Sequence, residues 1–371
     1  MESDKQTIII DNGSCFIKCG FSNEDSPHSC FRACVGHPKN KGIYYKDNFI
    51  GKQMKGQMNA LNLDYPIKEG VIENWDDMEK IWGYIFSEEL KVDPSEYNVI
   101  LTQPIMNSKS EKEKMAQIMF ESFNVSSLYL AYSIDLSFYS SCKESGLFVD
   151  LGGSSTQISS FLYYSPIPYK FKRIYYGGNA ITDYLFELFQ QNSKMFYNDK
   201  NKNYVEDIKE KACYVALDYE KEFVETFNYT LPDNKDIVIR NERIQATEAL
   251  FSPSLIRKDG DLGLHQACNE IIEKCDDDEK KIIYNCIYLT GGNSLFKGLG
   301  ERLTKEIKAK ALESYKEEVK VISSFNGKFS VWMGGKMLSV LSTFDNLLIT
   351  KEQYEESGCS IAYKNDNYML K

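Results

Sequence analysis

The residues best suited to chemistry gather in two Gly/Ser turns. In the first, Asp11 runs into Asn12-Gly13-Ser14, with Lys18 a few residues on. In the second, Asp150 runs into Leu151-Gly152-Gly153-Ser154-Ser155. Backbone N–H groups in such turns make a concave nest for phosphate oxygens, because glycine lets the chain approach closely. Lys18 alternates with Ile17 and Cys19, so it points away from them and offers a phosphate a point charge. Asp11 and Asp150 are oxygen ligands able to hold a hydrated Mg²⁺ through its waters. A third turn, Gly291-Gly292-Asn293-Ser294, opens a helix and suits the nucleoside end or a further phosphate contact. It is equally what a structural strand-to-helix turn requires. Either of the first two turns alone is what a hairpin needs. The pair, each behind a strand-ending aspartate, points to a nucleotide clamped between two lobes.

The elements that position these turns are legible around them. Thr7–Asp11 is apolar and Cys15–Gly20 alternates, which predicts a β-hairpin. Gly146–Asp150 and Thr156–Leu162 repeat the pattern, and the repetition predicts two similar lobes. Asn74 caps a predicted helix over Trp75–Leu90, with Trp75, Met78, Ile81, Trp82 and Ile85 on one stripe. Further helices are predicted over Glu111–Phe123 and Val205–Glu222. Ile282–Thr290 reads as a strand feeding the third turn, followed by a helix to about Lys310 carrying Leu299, Leu303 and Ile307 on one face. In that helix Glu301/Lys305 and Glu306/Lys310 are spaced to pair. Strands alternating with helices predict α/β lobes.

Composition narrows the class. The 371 residues are enough for two or three domain-sized units. A net charge of −10, from 44 Lys+Arg against 54 Asp+Glu, argues against nonspecific DNA or anionic-membrane binding. The basic group Lys170, Lys172 and Arg173 reads as a solvated face. Ten cysteines without a Cys-x-x-Cys pair, and three histidines, make no disulfide or zinc framework. With a polar Met1–Lys5 and no long apolar run, they predict a reducing, intracellular setting.

The chain resembles the actin family. Asp11-Asn12-Gly13-Ser14 with Lys18-Cys19-Gly20-Phe21 is similar to actin's first phosphate loop, and Asn74–Trp82 (NWDDMEKIW) reads as actin sequence. So, with few changes, do Glu113–Val125, Ile208–Glu220, Ser330–Phe344 and Tyr354–Ile361. The resemblance covers essentially the whole chain. One segment, Gly291–Leu303, is also similar to centractin. The family implies duplicated ribonuclease-H-like lobes, each of two subdomains, around a cleft holding ATP or ADP with Mg²⁺ or Ca²⁺. On that pattern residues 1–140 with 330–371 form the first lobe, with 33–65 as its small outer subdomain. Residues 141–329 form the second, with 177–264 outermost.

The resemblance puts Gly13, Ser14, Cys15, Phe16 and Lys18 at the first phosphate loop. Gly152, Gly153 and Ser154 fall at the second, with Asp11 and Asp150 on the cation through water. Gly178 falls on the ribose side, and Lys209, Glu210, Gly291, Gly292 and Lys328 line the adenosine. Phe296 stands where the family has a tyrosine. The groups that organise the attacking water differ: Ser133 replaces a glutamine, Gly153 an aspartate and Gln157 a histidine. Serine is too short to hold the same water directly, which implies impaired ATP hydrolysis. Gln157, Gln103 or an ordered water at Ser133 would restore some of it.

The filament surfaces also differ from the family's pattern. The segment between Pro38 and Pro66 is shorter and reads as a tight hairpin, Ile43–Tyr45 and Phe49–Gly51 about Lys46–Asn48. The segment Phe251–His265 carries Arg257-Lys258-Asp259-Gly260-Asp261 in place of an apolar plug, and the loop between Phe223 and Leu231 is shorter. Tyr139, Met337, Leu338 and Leu341 are either ordinary core or a groove for a partner helix. The resemblance thus implies a structural or regulatory subunit with weak or absent ATPase. Its partners would be actin-family subunits or actin-binding proteins in the cytoplasm and cytoskeleton, without direct nucleic acid. A self-assembling ATPase and a nuclear chromatin-remodelling subunit stay open.

Overall fold

A computed structural model describes residues 5–40, 46–192, 202–231, 234, 236–256, 260–364 and 368. The chain forms two compact units, residues 1–143 with 328–371, and residues 144–327.

The first unit is built on a six-stranded sheet. Its order is Ile349–Thr350, Ser127–Tyr132, Asn98–Gln103, Thr7–Asn12, Phe16–Phe21, Ser29–Arg32. Thr7–Asn12 is antiparallel to Phe16–Phe21 and parallel to Asn98–Gln103. Ile8, Ile9 and Ile10 are all fully buried. A continuous apolar run is what a strand covered on both faces requires. Asn74 caps the Trp75–Tyr84 helix by accepting the Asp77 N–H, and Met78, Ile81, Trp82 and Ile85 enter the core. The predicted run to Leu90 continues, but as a wider π turn over Ile85–Leu90. The Lys109–Gln117 helix begins two residues before its predicted start. Ser108 caps the Glu111 N–H, and the Glu111 carboxylate returns to the Ser108 N–H. The Ser133–Ser140 and Ser330–Ser339 helices approach unusually closely: a Cβ on Gly334 would lie 1.7 Å from the Leu136 carbonyl oxygen.

The second unit repeats the sheet connectivity. Ser165–Ile174, Thr156–Leu162 and Gly146–Leu151 form an antiparallel meander, and Ile287–Thr290 and Val321–Ser323 add parallel strands. In each unit an interior strand, with an antiparallel neighbour on one side and a parallel one on the other, ends near the candidate aspartate. This is the duplicated α/β architecture expected from the repeated strand–turn–strand pattern.

Two predicted elements end differently. The helix expected over Val205–Glu222 spans Lys202–Ala212. Beyond it the backbone bonds elsewhere, Tyr214 N–H to the Arg243 carbonyl and Val215 N–H to the Lys297 carbonyl. Good helix formers in that segment lose to tertiary hydrogen bonding. The strand expected over Ile282–Thr290 is helix through Asn285 and strand only from Ile287. A capping box at Asp276 and Glu279 starts that helix, and it buries Ile283 and Tyr284. On the Leu299–Lys310 helix the ion pairs are also not the expected ones. Glu306 pairs with Arg302 at 2.7 Å, and Lys305 faces Asp218 at 3.6 Å.

A small sheet in the first unit pairs Val35–Pro38 with Phe49–Ile50 and with Leu61–Asp64. Ile43–Tyr45, the first arm of the expected hairpin, lies outside the described residues, as do Arg257, Lys258 and Asp259. Phe49 and Ile50 pair with Gly36 and Val35. Leu338 is core, while Leu341 is exposed. Among the described residues no helix is long and apolar enough to cross a membrane.

Candidate functional site

In the first unit the turn after Thr7–Asn12 is held from three sides. Asp11 is buried, and its Oδ2 receives the Lys18 ammonium at 2.9 Å from directly across the hairpin. Its Oδ1 accepts from the Thr102 hydroxyl at 3.3 Å. Thr102 also accepts the Asn12 N–H at its Oγ1 (2.8 Å) and the Asn12 amide at its carbonyl (3.0 Å). Asn12 Oδ1 in turn accepts from the Trp82 indole at 3.0 Å. Gly13 is needed for space: a Cβ there would stand 2.4 Å from the Phe16 carbonyl oxygen and 3.2 Å from Lys18 Nζ. Ser14 and Cys15 are half-buried. The Phe16 ring has Lys328 Nζ 4.5 Å and the Arg32 guanidinium carbon 5.4 Å from its centroid. Cations at these distances are attracted to the ring face.

Ser133 opens a helix directly after Ser127–Tyr132 and is buried. Gln103, in register with Tyr132 on the neighbouring strand, has its amide bonded to the Leu130 carbonyl (3.3 Å) and the Asn107 side chain (3.1 Å). Two residues into the helix, Asp135 is buried and accepts a 2.5 Å hydrogen bond from Tyr368. Burial pushes its carboxyl up to about 7, against the opposing pull of that hydrogen bond.

In the second unit Asp150 is buried opposite Gln157 and beside Thr290. The following loop is stitched to the start of the Gly178–Asn192 helix. The Gly152 carbonyl accepts from Gly178 N–H (3.1 Å) and Asn293 Nδ2 (2.7 Å), and the Gly153 carbonyl from Asn179 N–H (2.7 Å). In a trans peptide the N–H points opposite the preceding carbonyl. The N–H groups of Gly153 and Ser154 therefore face away from the helix, as an anion-binding edge must. A Cβ on Gly177 would stand 2.4 Å from the Gly152 oxygen, and one on Gly178 2.7 Å from Asn293 Oδ1. Gly291, at φ +82°, brings its Cα against Asp150, where a Cβ would be 2.5 Å from Oδ1. A Cβ on Gly292 would meet nothing within 4 Å.

The structure thus brings Asp150, Gly152, Gly153, Ser154, Gly178, Gly291 and Gly292 together. Lys209 reaches the same corner, but its ammonium is bonded to the Gly178 carbonyl (3.0 Å) and Thr182 Oγ1 (2.9 Å). Glu210 is exposed, and Phe296 is half-buried against the second unit's core. Thr102, Trp82 and Gly177 were not identified from the sequence as site residues, and Asn293 was seen only as part of the third turn, not as the side chain that holds the second loop. Their partners lie far along the chain, except for Gly177, whose pairing with Gly178 before a helix was a local signal.

In each unit these groups suit phosphate oxygens and a hydrated divalent cation. Each unit offers a glycine cradle that a Cβ would fill, and a buried strand-end carboxylate. The Thr290 hydroxyl beside Asp150 is fully buried with no hydrogen-bond partner among the described residues, as beside a site that takes a polar guest. A family model described as Actin matches residues 2–365.

Proposed function

Because this chain belongs to the actin family, we propose that it is an ATP- and Mg²⁺-binding structural or regulatory subunit with weak or absent hydrolysis. The loop amides of Ser14–Cys15 and of Gly153–Ser154 would take phosphate oxygens, the Gly13 N–H being bonded to the Asp11 carbonyl (3.0 Å), and Lys18, already beside Asp11, would add its charge to them. Asp11 and Asp150 would hold the cation through its waters. Bound Mg–nucleotide supplies the phosphoanhydride and the charge that screens it. Phe16, braced by Lys328 and Arg32, holds the first loop's exit, and Asn293 fixes the second loop's carbonyls.

The observation that carries the reading of weak hydrolysis is at Ser133. Its hydroxyl is too short to hold a water where a glutamine would, and the adjacent Gln103 amide is engaged with Leu130 and Asn107. Water-positioning groups of this kind are worth about 10²–10⁴ in rate. The charge at Asp261 and the shortened small-sheet segment support altered filament contacts, since buried interface charges need partners.

The test is the nucleotide released on denaturing protein purified in Mg²⁺. Near-stoichiometric ATP that persists for hours is expected. Mostly ADP would refute impaired hydrolysis, and an absence of nucleotide would refute the binding site itself.

A further inference from the structure

We propose that His37, Asp64 and Asp77 form a second cation site, remote from the phosphate loops and suited to Zn²⁺. The three come from different elements: the Val35–Pro38 strand, the end of the Leu61–Asp64 strand and the first turn of the Trp75–Tyr84 helix. One ligand atom from each lies within 4.8 Å of the other two. His37 Nε2 is 3.1 Å from Asp77 Oδ2 and 3.6 Å from Asp64 Oδ2. These are the separations of atoms sharing one small ion, whose bonds are about 2.0–2.2 Å long.

The imidazole's orientation strengthens the case. His37 Nδ1 faces the Asp47 carbonyl at 3.4 Å. A carbonyl only accepts, so Nδ1 carries the hydrogen, and Nε2 is left facing two carboxylates, either as an imidazolium N–H that donates to them or as a lone pair that shares a cation with them. A cation at the point of convergence would take the place of that proton. Donation from the far ring nitrogen to a backbone carbonyl is also how metal-bound histidines are commonly oriented. Asp77 is held ready, with Oδ1 on Lys80 Nζ at 2.7 Å and Oδ2 on the Asn74 amide at 3.0 Å. Lys80 offsets one of the two carboxylate charges, and the negative charge that remains complements a dication.

Ligand chemistry selects the ion. Mg²⁺ and Ca²⁺ take oxygen ligands, whereas an imidazole with carboxylates suits Zn²⁺. Three protein ligands would leave a fourth position for water. His37 and Asp64 belong to the small three-stranded sheet, and Asp77 to a helix packed in the first unit's core. A bound ion would therefore pin that sheet to the core. This inference does not depend on nucleotide binding.

The experiment equilibrates the full chain with Zn²⁺ in millimolar Mg²⁺ and counts bound zinc for wild type, His37→Gln and Asp64→Asn. Asp64 is largely exposed, so its variant leaves the fold intact. The expected result is one zinc more per wild-type chain than in either variant. With Co²⁺ as the probe, wild type gains weak visible bands that both variants lose, without the intense near-ultraviolet absorption of thiolate ligation. Equal zinc in all three proteins, or a purely thiolate spectrum from exposed Cys30 and Cys142, would overturn the proposal and leave an ion pair only.

Discussion

Gly334 and Gly335 are neighbours on one helix but meet different obstacles, so alanine at each should act differently. A Cβ at Gly334 would stand 1.7 Å from the Leu136 carbonyl oxygen and 2.4 Å from its carbon. A Cβ essentially never approaches within 3.0 Å, so the two helices would have to part by roughly 1.3 Å in a close-packed interior. The obstacle is backbone, which cannot swing aside, and Trp332, Leu338 and Leu136 are all buried around it. Overpacking costs about 1–3 kcal/mol, and alanine's better helix propensity returns about 0.8–1. With an immovable obstacle the cost falls at the upper end, and Gly334→Ala should lose about 2 kcal/mol net. At Gly335 the nearest atom is the Ile9 Cγ2 methyl at 2.9 Å, with the next at 3.5 Å. A side-chain end can shift, so Gly335→Ala should stay within about 1 kcal/mol of wild type. Urea unfolding followed by far-ultraviolet circular dichroism measures both, with nucleotide and Mg²⁺ held constant because ligands shift stability. Equal midpoints for the two variants would refute the argument that the Leu136 backbone sets the helix spacing.

Other substitutions probe the site and the units separately. Asn293→Ala removes the bonds to the Leu151 and Gly152 carbonyls. Losing about 1–3 kcal/mol from the second loop should speed nucleotide release roughly tenfold or more, measured by displacement of a fluorescent analogue. Asp135, raised to about 7, holds in the folded chain a proton that the unfolded chain releases near pH 4. Its contribution is therefore present at low pH and is lost as pH rises through about 7, amounting to at most about 4 kcal/mol. Asp135→Asn should flatten that dependence, and thermal midpoints at pH 5 and pH 8 test it. Glu248 and Arg302 form a buried bidentate pair at 3.0 and 3.1 Å. Glu248→Gln should cost about 3 kcal/mol, whereas the double replacement by Leu and Met should stay within about 1 kcal/mol of wild type. A denaturant double-mutant cycle distinguishes the two.

Local signals carried the parts of the fold that are themselves local. The Asp11 and Asp150 hairpins were legible because turn chemistry and alternation act within a dozen residues, and Asn74 was legible as a cap for the same reason. The Val205–Glu222 reading failed where distant partners decide, and the Ile282–Thr290 reading failed because it passed over a cap only a few residues upstream. The carbonyls of Arg243 and Lys297 capture the amides of Tyr214 and Val215, and an acidic capping box claims Ile282–Asn285 for a helix. The π turns at Ile85–Leu90 and Ile118–Ser122 leave the apolar stripe nearly unchanged, so periodicity does not reveal them. At the site, the glycines and aspartates were visible by type. Thr102 and Trp82 were not, nor was the reach of Asn293 to the second loop, because nothing near them in the chain records which loop they meet.

The bond from Trp82 to Asn12 gives the first loop an optical reporter of its own. Indole emission shifts with the hydrogen bonding of its N–H, and Asn12 is the last residue before Gly13. Of the three tryptophans, Trp332 is buried in the helix interface with no partner for its N–H among the described residues, and Trp75 lies at the edge of the core. Unlabelled protein therefore carries a fluorophore wired to the turn, and a change in the loop's backbone can be followed in its intrinsic emission without attaching a dye.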